Sequence, residues 1–171
     1  VHPKWQPPFV DRLRSKARGA FSAAAHPTRW WHHGPNEVLP GTNISADLAF
    51  DLIAARSYDG LTVMGDFKDN INYQNLWFKI LNLGSRLVPV AETDGDVAHG
   101  SLGNLALTYV WTGRREFDFN ELTGHLKKGH TTLSGKGVML LTLDGKLPPG
   151  SMLPADGKRH TIEVDVYSEP G

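Results

Sequence analysis

The chain contains no cysteine, which rules out disulfide staples and Cys-ligated zinc. It has no excess of charge either, because 18 basic side chains balance 18 acidic ones over 171 residues. That balance provides no overall field to draw in nucleic acid or an anionic membrane, and neither is expected as a partner. No apolar run approaches the roughly 20 residues that a membrane-crossing helix needs. A signal peptide is not visible and the first residue is Val1 rather than methionine, as expected of a processed product or a fragment. The Walker loop, the dinucleotide fingerprint and the Gly-x-Ser-x-Gly elbow are all missing. What remains is long enough to bury a core as one domain, or one domain and part of another. Its 18 glycines and 11 prolines fit a loop-rich globular protein.

The apolar pattern predicts an alternation of helices and strands. Phe9 to Arg18 reads as a helix stopped by Gly19. Ala20 to Ala25 reads as a closely packed strand ending at His26-Pro27. After a loop rich in Trp, His, Pro and Gly, Ser45 to Arg56 places Leu48, Leu52 and Ile53 on one helical face. Gly60 to Met64 is a short strand, and Tyr73 to Leu83 is the clearest helix, with Gly84 as its stop. Leu87 to Ala91 follows as a buried strand. This order argues for a parallel sheet or barrel rather than a sandwich. Further on, Leu105 to Trp111 reads as a strand and Phe119 to Lys128 as a helix ended by Gly129. Val138 to Leu143 and Thr161 to Tyr167 are β segments. Two regions are therefore expected, an α/β portion over 1–129 and a β-rich subdomain over 130–171.

The richest chemistry lies just past the strand at 87–91, where Asp94, Asp96 and His99 enter a glycine-rich loop. Side chains at the C-terminal ends of α/β strands are where metal ligands and acid/base groups are commonly mounted. His26 follows an earlier strand in the same manner. Each has a plainer reading: His26 as a histidine closing a strand, Asp94 and Asp96 as a polar turn or calcium loop, His99 as a surface residue. Taken together, imidazoles and carboxylates suit Zn, Mn or Fe, which activate water. Trp30, Trp31, His32 and His33 cluster shortly after His26. The tryptophans either lid a mouth or wall a pocket for an apolar or sugar ring, and the histidines could assist proton transfer; the wall is the preferred reading. Asp66 also follows a strand and would face the same mouth, against a plainer reading as part of a solvated loop with a helix cap near Asn70 or Asn72. Arg114-Arg115 and Lys127-Lys128 are expected to be solvated pairs.

Several motifs, in order, resemble one family. They are Ala25-His26-Pro27, the run Leu81-Asn82-Leu83-Gly84-Ser85-Arg86-Leu87-Val88-Pro89, then Thr93-Asp94, and Gly103-Asn104 ahead of Leu107-Thr108-Tyr109-Val110. Leu126-Lys127-Lys128-Gly129-His130-Thr131 and Val138-Met139-Leu140 continue the series. This arrangement resembles the later half of the CehA/McbA-type metallohydrolases of the PHP (polymerase and histidinol phosphatase) superfamily, over about Gly19 to Tyr167. The resemblance implies an α/β fold, part of a distorted β/α (PHP-like) barrel followed by a small β-rich C-terminal subdomain. It also implies one to three divalent transition-metal ions (Zn, Mn or Fe) at the strand ends. His26 matches the histidine of the family's third metal motif, and Asp94 the aspartate of its fourth, usually Asp-x-His. Here Asp96 stands in place of that histidine, with His99 three residues later, so either one is the substitute. Leu107 stands where many relatives carry arginine. The family's first two motifs should precede His26, yet only 25 residues do.

The expected function is therefore a metal-dependent hydrolase of ester, carbamate or phosphoester bonds. His26, Asp94 and His99 are the metal-ligand candidates, and Asp96 and His99 the catalytic ones. Trp30, Trp31, His32 and Asp66 are expected to hold a small-molecule or sugar substrate. An N-terminal segment or second chain is expected to complete the barrel. The alternative is a non-catalytic module of the same descent that binds carbohydrate or protein.

Overall fold

The structure, a computed structural model, describes residues 12–13, 15–17, 19–25, 27, 58–65, 70–93, 106–114, 116, 118–135 and 137–168. Its first three strands, β1 (Ala23–Ala24), β2 (Gly60–Met64) and β3 (Val88–Ala91), form one parallel sheet in that order. Helix α1 (Asn70–Asn82) connects β2 to β3 and packs on β2. As the middle strand, β2 is buried from Gly60 through Val63, which explains its unbroken apolar and small composition. Gly60 is required by close approach, since a Cβ there would lie 2.7 Å from the Phe21 ring and 2.8 Å from the Val88 carbonyl.

The core lies between this sheet and α1. Ala24, Leu61, Leu76, Ile80 and Leu87 form its buried cluster, with Tyr58 and Trp77 packed against it. On α1, Tyr73, Leu76 and Ile80 are buried at helical spacing, so one stripe faces the sheet. Burial of a side chain such as Ile80 contributes about 1.5–3 kcal/mol. The Trp77 indole N–H donates to the Leu87 carbonyl at 2.8 Å, which fixes the chain's entry into β3. At the other edge, Asp59 accepts from the Ser22 backbone N–H at 2.9 Å and ties the start of β1 to that of β2.

Beyond β3 the topology changes. Strands β4 (Leu107–Val110) and β5 (Thr131–Ser134) pair antiparallel with α2 (Phe119–Lys127) between them, and β6 (Gly137–Leu143) and β7 (Ile162–Ser168) form a second antiparallel pair. The expectation of a β/α barrel is therefore overturned. A barrel requires each strand to add parallel to the last until the sheet closes. Among the described residues there are instead two helices and three small sheets, and β4 does not extend the parallel one. A side chain links β4 to β3 instead. The Ala91 N–H donates to the Thr108 hydroxyl at 2.8 Å, and that hydroxyl is 3.0 Å from the Ala91 carbonyl as its donor. The apolar run at 105–111 correctly signalled a strand, but its pattern carries no information about the direction of its partner.

Most other elements lie within one or two residues of their expected limits, the usual uncertainty of boundaries. The early strand is shorter than expected, at two residues. Within the expected first helix, the Ala17 N–H donates to the Leu13 carbonyl at 2.8 Å, one helical turn. The expected helix at 45–56 lies outside the described residues. Strand β5, with its single Leu133 among hydroxyl residues, was not anticipated. The β6–β7 pair is apolar on one face, where Leu143, Leu141 and Met139 oppose Ile162, Val164 and Val166. No helix among the described residues is long and apolar enough to cross a membrane.

Candidate functional site at the strand ends and the helix cap

The parallel register carries β1, β2 and β3 toward one common edge. Ala24 lies level with Leu61, Leu61 with Pro89, and Met64 with Ala91. At that edge the Glu92 N–H donates to the Met64 carbonyl at 2.9 Å, so pairing runs one residue past β3. Gly65 faces the Glu92 side chain, because a Cβ there would lie 3.0 Å from Glu92 Cγ. The bare backbone at position 65 makes room for that half-buried carboxylate. Glu92 was not singled out from the sequence, although it sits two residues ahead of Asp94.

His26, Asp66 and Asp94 are the residues bonded to Ala25, Gly65 and Thr93, which leave the three strands. These candidates themselves, with Asp96, His99, Trp30, Trp31 and His32, lie outside the described residues. Among the described residues, no three His, Asp or Glu side chains are grouped to hold a metal ion.

A second cluster is built by the end of α2. The helix starts at Asp118, whose carboxylate accepts from the Asn120 N–H at 2.8 Å, a standard N-cap arrangement. It ends on Gly129, in the left-handed region at φ 75°. The Gly129 N–H donates to Leu126 at 2.9 Å and the His130 N–H to His125 at 3.1 Å. This glycine cap brings the third residue from the helix end against the second residue beyond the cap. Here those residues are His125 and His130, with Nδ1 atoms 3.0 Å apart. At that separation one ring donates and the other accepts, so a single proton is shared. Trp111 makes T-shaped contacts with both imidazoles, with centroids 6.3 and 6.2 Å away. Burial holds the His130 pKa below its ordinary value, and the nearby His125 and Lys128 push it the same way.

This pair was missed in the sequence, yet its signal was present: a helix stopped by Gly129 dictates contact between 125 and 130. Alongside, Arg114 pairs with Glu121 at the exposed surface, and Lys127 and Lys128 are exposed. Arg115 lies outside the described residues.

A third grouping closes the loop between β6 and β7. Asp144, at φ 54°, accepts from the Thr161 N–H at 2.9 Å and lies 2.8 Å from His160 Nδ1. These two bonds, the backbone one first, hold the Asp144 carboxyl below the usual carboxylate range. Its local bonds are those of a turn clamp, with no nucleophile beside it in the described contacts.

No protein-family model, curated protein or solved structure matches the chain.

Proposed function

We propose that the chain contributes a metal-dependent hydrolytic site at the C-terminal edge of β1, β2 and β3. The single observation supporting this is their parallel pairing. It directs three strand ends toward one edge, and a candidate site residue follows each end in the chain: His26 and Asp94 as metal donors and Asp66 as a substrate contact. In open parallel sheets that edge is where ligands bind.

Imidazole and carboxylate donors fit a divalent Zn, Mn or Fe ion. His26 and Asp94 would hold it, with His99 as a further donor. When bound, such an ion supplies water of lowered pKa and a polarised scissile bond. Asp96 and His99 would move the proton, while Trp30, Trp31, His32 and Asp66 would seat an ester, carbamate or phosphoester substrate. A centre of more than one ion needs donors beyond these, supplied by another segment or chain.

Elemental analysis of the purified full chain tests the reading. Stoichiometric transition metal is expected, lost in His26→Ala and in Asp94→Ala with folding retained by circular dichroism. Absence of metal after loading, or retention by both variants, removes the hydrolase reading.

A further inference from the structure

At the opposite end of β3 lies a cleft of about 670 Å³, between α1, the start of β3, the end of α2 and the turn at 149–152. Its volume is within the range of small-molecule sites, about 300–1,000 Å³. Trp77, Leu81, Val88, Pro89, Pro149 and Met152 give it an apolar wall. Arg86, Lys127 and Lys128 also line it, and among the described residues no carboxylate does.

The C-terminal turns of both helices line this region, through Trp77 and Leu81 of α1 and Lys127 of α2. Each terminus carries about half a negative charge, so together they offset roughly one of the three cations. An excess of positive charge remains beside the apolar wall. The Thr131 hydroxyl, on a residue that also lines the cleft, is sealed from solvent and has no hydrogen-bond partner among the described residues.

We infer that this cleft binds a small amphiphilic anion, an aliphatic or aromatic carboxylate whose apolar body lies along Trp77 and Met152 and whose carboxylate meets Arg86 and Lys128. The site is separate from the proposed metal edge. The cleft is lined by Arg86 to Pro89 at the start of β3, whereas Asp94 and His99 lie beyond Ala91 at its other end and His26 follows the C-terminal end of β1. Arg86 supplies a planar fork suited to a carboxylate, and Lys128 adds a mobile point charge.

Calorimetric titration of the full chain with octanoate, octanamide and octylammonium tests the inference. Octanoate is expected to bind saturably, and the two controls at least about tenfold more weakly, one charge contact being worth about that factor. Arg86→Gln combined with Lys128→Gln should lose about the same factor for octanoate without changing the thermal midpoint. Met152→Glu, which sets a carboxylate at the exposed side of the cleft, should weaken octanoate but not octylammonium. Equal binding of all three probes, or an unchanged affinity in the double variant, overturns the anion assignment. Failure of octanoate to bind, together with concentration-dependent dimerisation that Met152→Glu abolishes, would assign the cleft to a second copy instead.

Discussion

The ends of α1 and α2 use one backbone solution for different purposes. Both helices stop on a glycine with positive φ, Gly84 at 82° and Gly129 at 75°. In both, that glycine's N–H reaches back three residues and the next N–H reaches back five: Gly84 to Leu81 and Ser85 to Ile80, Gly129 to Leu126 and His130 to His125. The residues joined by the caps differ. At α1 the cap joins Ser85 to Ile80, which is 1% exposed and belongs to the core. At α2 it joins two imidazoles, and α2 has no buried residue. An identical cap therefore either locks a helix into the core or holds a titratable pair near the surface, depending on which side chains occupy its two contact positions.

The sharpest way to test that contrast is to truncate one apolar residue on each helix. Ile80→Ala is expected to cost about 2–5 kcal/mol, the range for emptying a well-packed aliphatic site. Leu126→Ala, on the half-buried face of α2, should cost about 1 kcal/mol, near the centre of ordinary substitutions. Urea unfolding of the two variants provides the comparison. Equal losses would mean that α2 is anchored as firmly as α1.

Alanine in place of either cap glycine should cost less than Ile80→Ala and about the same at both sites. Each would force a Cβ into the left-handed region, at about 1–2 kcal/mol. Sterics add little, since a Cβ at Gly84 meets nothing within 4 Å and one at Gly129 approaches Gly150 at 3.7 Å and Val88 at 3.9 Å. A markedly larger loss at Gly129, measured by thermal unfolding, would show that the α2 cap bears packing that Gly84 lacks.

How much of this was legible in the sequence follows from the range of the forces involved. Strand β2 and helix α1 were readable because local pattern and burial agree: Leu61 is buried in the apolar run of β2, and Leu76 and Ile80 are buried among the apolar residues of α1, although Leu83 is exposed. The barrel was not a sound inference, because strand direction is set by tertiary partners that the run at 105–111 does not encode. β5 was invisible because Thr131, Thr132 and Ser134 lack apolar alternation, and only pairing with β4 makes them a strand. The His125–His130 contact is legible in principle through Gly129, because a glycine-stopped helix sets these two positions side by side. Glu92 could be recognised only once parallel pairing set it beside Gly65.

The smallest expected effect separates the two caps by pH rather than by packing. The Ile80–Ser85 cap contains no titratable side chain, whereas burial, with His125 and Lys128 nearby, depresses the pKa of His130 below its ordinary value. Between its ordinary and depressed values the unfolded chain binds more protons than the folded one, so stability falls as pH drops through that window. The contribution is fully present above about the ordinary 6.5 and is lost toward the lower folded value. Protonating both rings would also break the 3.0 Å Nδ1 contact, which needs one acceptor. Thermal midpoints measured from pH 7.5 down to 5 should therefore decline with a component that His130→Phe removes. The Gly84→Ala variant should retain that component in full. A decline unchanged in His130→Phe would place the acid sensitivity elsewhere in the chain and leave the two caps alike in all but their side-chain packing.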